Sequence, residues 1–336
     1  MSAKQGLLLP VKILLLALIL TVCFSLAGAV SDWGRAQRQS PSTEALSPRV
    51  PTASPPPPVD ASKMQFHPKP GADSPVPARA TTGAPPEPAN VLRLLFTACL
   101  LQTIVLSYVI LRSSRTGWRM VGAVFVAFFG AAYLQASLES AVYLRHKFPG
   151  LGLRMLLMGA ITTAVFSPLA VAILSRFRDG SESRAAPRRA IAAWKAPAVV
   201  VAFLVAYYTC GYYIAWQSPF VREFYGGTDP GSFFKQLAWV WSTTPWMYFF
   251  QAFRGLIYFF IALPVVWMLK REPWEVGLAV ALLFSVVGSA LLILPNPLMG
   301  EAVSRVHLVE TLVANSVFGW YTGWLLSRRA RAVRSA

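Results

Sequence analysis

The chain has 336 residues, of which 55% are hydrophobic and only 13% are charged, and its formal net charge is +17. This composition excludes an ordinary soluble domain. The basic residues cluster at the ends of apolar runs, so they favour contact with anionic membrane lipids as partners and argue against nucleic acid. Apolar runs of about twenty residues predict an all-α fold, a polytopic membrane helix bundle with seven to eight transmembrane helices and a disordered N-terminal linker.

The first segment, residues 1–30, combines Lys4 and Lys12 with the apolar run Ile13–Leu26 and the small residues Ala27-Gly28-Ala29. This order is typical of a secretory signal peptide cleaved after Ala29. The apolar run is also nearly long enough to remain as a signal-anchor helix. Both alternatives place the residues that follow outside the cytoplasm.

A linker rich in Pro, Ala, Ser and Thr is predicted over residues 31–90. It contains almost no large apolar side chains and cannot bury a core, so we expect it to be disordered and extracytoplasmic. It could bind a partner as a tether, but a plain spacer is the favoured interpretation.

Residues 91–336 are predicted to form one transmembrane domain with seven spans. Seventeen Lys and Arg residues lie on one side of these spans, and six lie in the short loops opposite. The excess predicts a protein of the cell inner membrane with a cytoplasmic C-terminus. An aromatic segment at 232–246 is too polar to span and is predicted to lie in the outer interface. The predicted spans are 92–111, 120–144, 153–175, 197–216, 246–269, 275–294 and 308–327.

Arg254 is the only charged residue in the 24-residue run Trp246–Leu269. A charge at the centre of a transmembrane helix costs roughly 2.5–3.5 kcal/mol on insertion scales. We therefore expect Arg254 to face the bundle interior, within ion-pair reach of Glu139 or Glu310. The pair could serve only to fix helix packing.

Most other polar groups in or near the spans fall on the predicted outer side. Gln135 and Glu139 are one helical turn apart and share a face. Guanidinium groups bind phosphate or carboxylate in a bidentate manner, so the pattern predicts an outward-facing cluster for an anionic or lipid-linked ligand. The predicted ligand-binding residues are Arg254, Gln251, Glu139, Arg222, Arg305 and Tyr258.

His307 and Glu310 are three residues apart and are the candidate catalytic residues, as a base and the group that orients it. Glu310 could equally be placed near a helix N-terminus because the helix dipole favours acids there. No P-loop, GxGxxG or HExxH motif is present. The cysteines show no CxxC spacing, and we expect no cofactor and no metal.

The leading functional prediction is therefore a multi-pass inner-membrane protein of unspecified role, with a non-enzymatic role favoured, whose outward-facing polar cluster is a candidate site for an anionic or lipid-linked ligand. The first alternative is an integral membrane enzyme acting on a lipid-linked substrate. The second is a secondary transporter, although Glu139 is the only acidic residue well inside a span.

Overall fold

The computed structural model describes residues 3–38, 87–145, 148–177, 191–269, 271–295 and 299–328, and these ranges contain helices and no strand. The fold is an all-α membrane helix bundle, as the sequence predicts. Its α-helices are α1 (Ala3–Arg38), α2 (Pro88–Arg112), α3 (Gly117–Phe129), α4 (Gln135–Tyr143), α5 (Leu151–Ile173), α6 (Lys195–Cys210), α7 (Pro219–Tyr225), α8 (Phe233–Thr243), α9 (Trp246–Met268), α10 (Pro273–Leu282) and α11 (Glu301–Ser327).

Among the residues that the structure describes, seven helical segments are long and apolar enough to cross a membrane. The eighth predicted span, 308–327, lies in α11, which is long enough but too polar to meet the same standard. The qualifying segments are Leu8–Gly28, Pro88–Arg112, Gly117–Tyr143, Leu151–Ile173, Lys195–Ala215, Trp246–Met268 and Pro273–Ile293.

The first helix continues past the predicted cleavage site at Ala29 and ends at Arg38. Residues 31–38 of the predicted linker are therefore helical, because extending an existing helix costs far less than nucleating one. Most of the predicted linker, 39–86, lies outside the described residues. One face of α1 packs on α2 and α5 and buries Leu16 and Leu20.

The loops predicted on the cytoplasmic side meet at one end of the bundle. Arg112 forms an ion pair with Glu275 at 2.9 Å. The backbone N–H of Gly117 donates to the carbonyl of Arg176 at 3.0 Å. The buried Lys195 ammonium donates to carbonyls at the C-terminal end of α11. These contacts agree with the predicted alternation of the spans, and the cytoplasmic placement of this end stays a prediction.

Small residues bring α11 into close contact with α10 in spite of its polarity. A Cβ atom at Gly323 would lie 2.6 Å from the carbonyl oxygen of Val276, and one at Gly319 would lie 2.8 Å from the Cα of Ala281. Such close backbone approach is the usual basis of helix association through Gly-x-x-x-Gly pairs. Packing on α10 therefore holds α11 in the bundle.

Three spans are interrupted by five-residue π-helical segments, at Gly130–Leu134, Gly211–Ala215 and Leu283–Val287. A π-turn changes the direction in which the following residues point, and such turns are frequent at functional sites. The first of them directly precedes Gln135 and Glu139, so it determines which way these two side chains face.

Candidate functional site

Arg254 is buried in the bundle and paired with Glu139, as the sequence predicts. Its side chain is only 4% exposed, and its Nη1 lies 2.7 Å from Oε1 of Glu139. Glu310, the other predicted partner, pairs with His307 instead. The long apolar helix α9 thus carries its one charge at a point where α4 supplies the counter-charge.

Two glutamine side chains complete the coordination of the guanidinium. Arg254 Nε donates to Gln135 Oε1 at 3.0 Å, and Arg254 Nη1 donates to Gln251 Oε1 at 2.8 Å. Gln135 Nε2 in turn donates to the backbone carbonyl of Arg254 at 3.2 Å. The rings of Phe203 and Phe250 lie within 6 Å of the guanidinium carbon, at 5.5 and 5.9 Å. Arg254 therefore has polar partners and aromatic rings around it, with no need of lipid contact.

A chain of hydroxyl and amide groups leads from this pair toward the predicted outer end of the bundle. Gln251 Nε2 donates to the Tyr143 hydroxyl at 2.6 Å, and the hydroxyls of Tyr143 and Tyr207 are 3.4 Å apart. Both tyrosines are therefore part of the hydrogen-bonded network around Arg254.

The two members of the ion pair differ sharply in exposure. The Glu139 side chain is 40% exposed, whereas that of Arg254 is almost fully covered. The carboxylate is therefore the accessible half of the pair, and the guanidinium is the buried half.

A second polar group lies where α7 meets α11. His307 Nδ1 is 2.8 Å from Glu310 Oε2, and His307 Nε2 is 3.3 Å from the Tyr225 hydroxyl. The predicted pairing of His307 with Glu310 on one helix face is confirmed. The role of Tyr225 was missed because α7 is only seven residues long and has no strong sequence pattern.

The two polar groups are close enough to interact electrostatically. Burial raises the pKa of Tyr225, which lies outside the spans, and the carboxylates of Glu139 and Glu310 raise it further. We call the combined set the outer polar cluster. It comprises Gln135, Glu139, Tyr143, Tyr207, Tyr225, Gln251, Arg254, His307 and Glu310.

Two of the predicted ligand-binding residues, Arg305 and Arg222, lie away from the buried pair. Arg305 is on the surface, 76% exposed, and is paired with Glu301 one turn away. Arg222 donates to the carbonyl of Trp216 at 3.3 Å and lies 3.8 Å from Asp229. Neither of these contacts joins the buried Arg254–Glu139 pair.

Tyr258 lies one helical turn after Arg254 on α9 and is buried. Its ring packs against the aromatic rings of Phe203, Phe284 and Phe318. The ring therefore packs in the aromatic core beneath the ion pair, and the hydroxyl interacts with Arg254 and Asn315.

Within the described ranges, no three His, Cys, Asp or Glu side chains are grouped so that they could hold a metal ion. Comparison with protein-family models, with curated proteins and with solved structures finds no match to this chain.

Proposed function

We propose that this multi-pass membrane protein binds the anionic headgroup of a lipid-linked ligand at the outer polar cluster. The observation that carries the proposal is the unequal exposure of the Arg254–Glu139 pair. A buried guanidinium faces a carboxylate whose other side is accessible. In this arrangement Glu139 occupies the position that a ligand phosphate or carboxylate would take.

The chemistry of the cluster supports an anion that replaces Glu139. A guanidinium is planar, permanently charged and suited to bidentate contact with phosphate or carboxylate. Gln135 and Gln251 hold Arg254 in place through their own hydrogen bonds. The cation would therefore stay oriented while the carboxylate moves aside.

The position of the cluster supports a ligand that carries a hydrocarbon chain. Arg254 lies inside a transmembrane helix whose other side exposes Phe249 and Phe253. A headgroup that reaches Arg254 from the outer side can leave its chain in the surrounding lipid, with no need to bury it in the protein.

The proposal predicts opposite effects for the two halves of the pair. The full chain would be purified in detergent with its bound lipids, and the bound molecules would be detected by native mass spectrometry. Arg254→Gln should abolish the bound anion. Glu139→Gln should retain or strengthen its binding, because this variant removes the competing carboxylate.

The exposed pair Arg305–Glu301 provides matched controls. Arg305→Gln and Glu301→Gln should leave the bound molecules unchanged, since both side chains lie on the surface. Equal amounts of bound anion in Arg254→Gln and the unchanged protein would contradict the proposal.

The second candidate function is an enzyme acting on the same class of ligand. The observation that favours it is the 2.8 Å contact between His307 Nδ1 and Glu310 Oε2. In this arrangement the carboxylate would orient the imidazole as a general base. Incubation of the purified chain with a polar lipid extract should then release a product. His307→Gln should stop product release at unchanged protein abundance. If the unchanged protein released no product and His307→Gln only lowered the thermal stability, His307 and Glu310 would have a packing role.

A further inference from the structure

A second, separate cleft opens at the outer end, between the segment that follows α6 and the first turns of α8. Its volume is about 160 Å³, and its walls include Trp216, Asp229, Lys235, Gln236 and Trp239. Pockets that enclose a whole drug-sized ligand measure roughly 300–1,000 Å³. This cleft is smaller, so it suits a headgroup whose chains remain outside.

The wall formed by the connecting segment is held in place by specific contacts. The indole of Trp216 lies against Gly227, where an added Cβ would come within 2.5 Å of the ring. Asp229 Oδ1 accepts the backbone N–H of Gly231 at 2.8 Å, and Asp229 Oδ2 lies 3.8 Å from Arg222. The cleft is therefore formed before any ligand arrives.

The charges and rings of the cleft suit a ligand that carries both signs. Lys235, in the first turn of α8, provides an ammonium donor for a phosphate and has no ion-pair partner among the residues that the structure describes. The indole faces of Trp216 and Trp239 attract a cationic group, and aromatic walls of this kind recognise quaternary ammonium ligands. Asp229 adds a carboxylate on the same side.

The surroundings of the cleft indicate the depth at which a ligand would lie. Phe234 and Trp241 on α8 are 78% and 58% exposed, and Phe220 on α7 is also exposed. Exposed Trp and Phe next to a polar surface are typical of a helix that lies at the headgroup level of a bilayer. The cleft therefore opens where lipid headgroups are found.

We infer that this cleft binds the headgroup of a phospholipid that contains both a phosphate and an ammonium group. Lys235 and the N-terminal end of α8 contact the phosphate, while Trp216, Trp239 and Asp229 receive the ammonium. The inference does not rest on the proposed function, because it uses none of the residues of the outer polar cluster.

The test is a lipid titration of the full chain in detergent micelles, with bound lipid counted by native mass spectrometry. The probes are dioleoyl phosphatidylcholine, phosphatidylethanolamine and phosphatidylglycerol, with glycerophosphocholine as the headgroup without chains. Phosphatidylcholine and phosphatidylethanolamine should bind about tenfold more tightly than phosphatidylglycerol, as one desolvated cation–π contact implies.

Two variants assign the preference to the cleft. Trp239→Leu should remove the preference for an ammonium headgroup, and Lys235→Gln should weaken all three lipids alike because all carry a phosphate. Trp241→Leu on the same helix and Arg305→Gln on the surface of α11 should change neither result. These two controls separate the cleft from general aromatic contacts and from the loss of an exposed cation.

Equal binding of phosphatidylglycerol and phosphatidylcholine would overturn the inference, as would an unchanged preference in Trp239→Leu. If glycerophosphocholine bound as tightly as dioleoyl phosphatidylcholine, the assignment to a membrane lipid would be overturned in favour of a soluble ligand.

Discussion

Arg254 shows how a charged residue is accommodated within a transmembrane helix. Its guanidinium has acceptors on three side chains, those of Glu139, Gln135 and Gln251. Removing one partner of such a network leaves the others without their hydrogen bonds, and this usually costs more than the pair contributes when intact.

Replacing Arg254 tests this network directly. Arg254→Leu should lower the free energy of unfolding by about 1–3 kcal/mol, because two glutamine oxygens lose a donor. The Glu139 carboxylate is half-exposed and can be solvated or take a proton, so the loss stays moderate. Arg254→Glu should be worse, by about 3–5 kcal/mol or more, since it places two carboxylates together. Thermal unfolding in detergent measures both.

The control is Arg305→Leu, which breaks an exposed pair and should cost about 0–1 kcal/mol. Equal losses in Arg254→Leu and Arg305→Leu would show that the buried network contributes nothing.

The partner of Arg254 could be narrowed to two residues from the sequence, because lipid cannot solvate the charge and few acids lie in the outer half. The choice between Glu139 and Glu310 could not be made. It depends on how the π-helical segment Gly130–Leu134 orients the residues that follow it, and no composition or spacing rule predicted that segment. The sequence correctly placed Gln135 on the same helix face as Glu139. Its contact with Arg254, however, depends on the same π-helical segment and could not be predicted.

At the level of helices, α1 packs as a member of the bundle. It buries Leu16 and Leu20 on one face, and the Lys12 ammonium donates to the Ser175 hydroxyl at 3.0 Å. A segment removed after export has no need of such contacts with α2 and α5.

We therefore expect α1 to be retained in the mature protein. The intact mass of protein purified from membranes should correspond to a chain that includes residues 1–29. A mass corresponding to a chain that begins at Val30 would show that a signal peptidase removes the segment.

The contact of α11 with α10 depends on glycines that sequence reasoning did not single out. Gly323→Ala would place a Cβ 2.6 Å from a backbone oxygen, which cannot move as a flexible side chain can. We expect a loss of about 1–3 kcal/mol in the free energy of unfolding. Hydrogen exchange of α11 amides should increase at the same time.

Gly122 provides the matched control, since an added Cβ there meets no atom within 4 Å. Gly122→Ala should be neutral or stabilising by about 0.5–1 kcal/mol, as expected for Ala in a helix. If Gly323→Ala were as well tolerated, α11 would not be held by this close packing.

For the whole molecule, the distribution of Lys and Arg predicted an alternating path, and the contacts at one end of the bundle agree with it. Hydropathy predicted the spans well because each is a long, predominantly apolar segment. Hydropathy was less informative for α11, because Glu310 and Asn315 lower the mean hydropathy of this helix. The position of α11 in the bundle depends on packing instead. The short helix α7 was missed for a similar reason, since its position comes from contacts and not from its own pattern.

The orientation of the bundle can be tested by cysteine labelling. In a chain whose native Cys23, Cys99 and Cys210 are replaced, Thr228→Cys should react with a membrane-impermeant reagent in intact cells. Arg184→Cys should react only after the membrane is opened, because its loop carries the largest group of basic residues. Labelling of residue 184 in intact cells would reverse the predicted orientation.

The most direct test of the outer polar cluster as a binding site is the double exchange Arg254→Glu with Glu139→Arg, followed by native mass spectrometry of bound anions. The exchange keeps both charges within reach of each other, so it should restore most of the thermal stability that Arg254→Glu loses. It also moves the cation to the exposed position and the carboxylate to the buried one. We expect the double variant to fold and to retain less bound anion than the unchanged protein. Binding equal to that of the unchanged protein would contradict the assignment of Arg254 as the residue that holds the ligand.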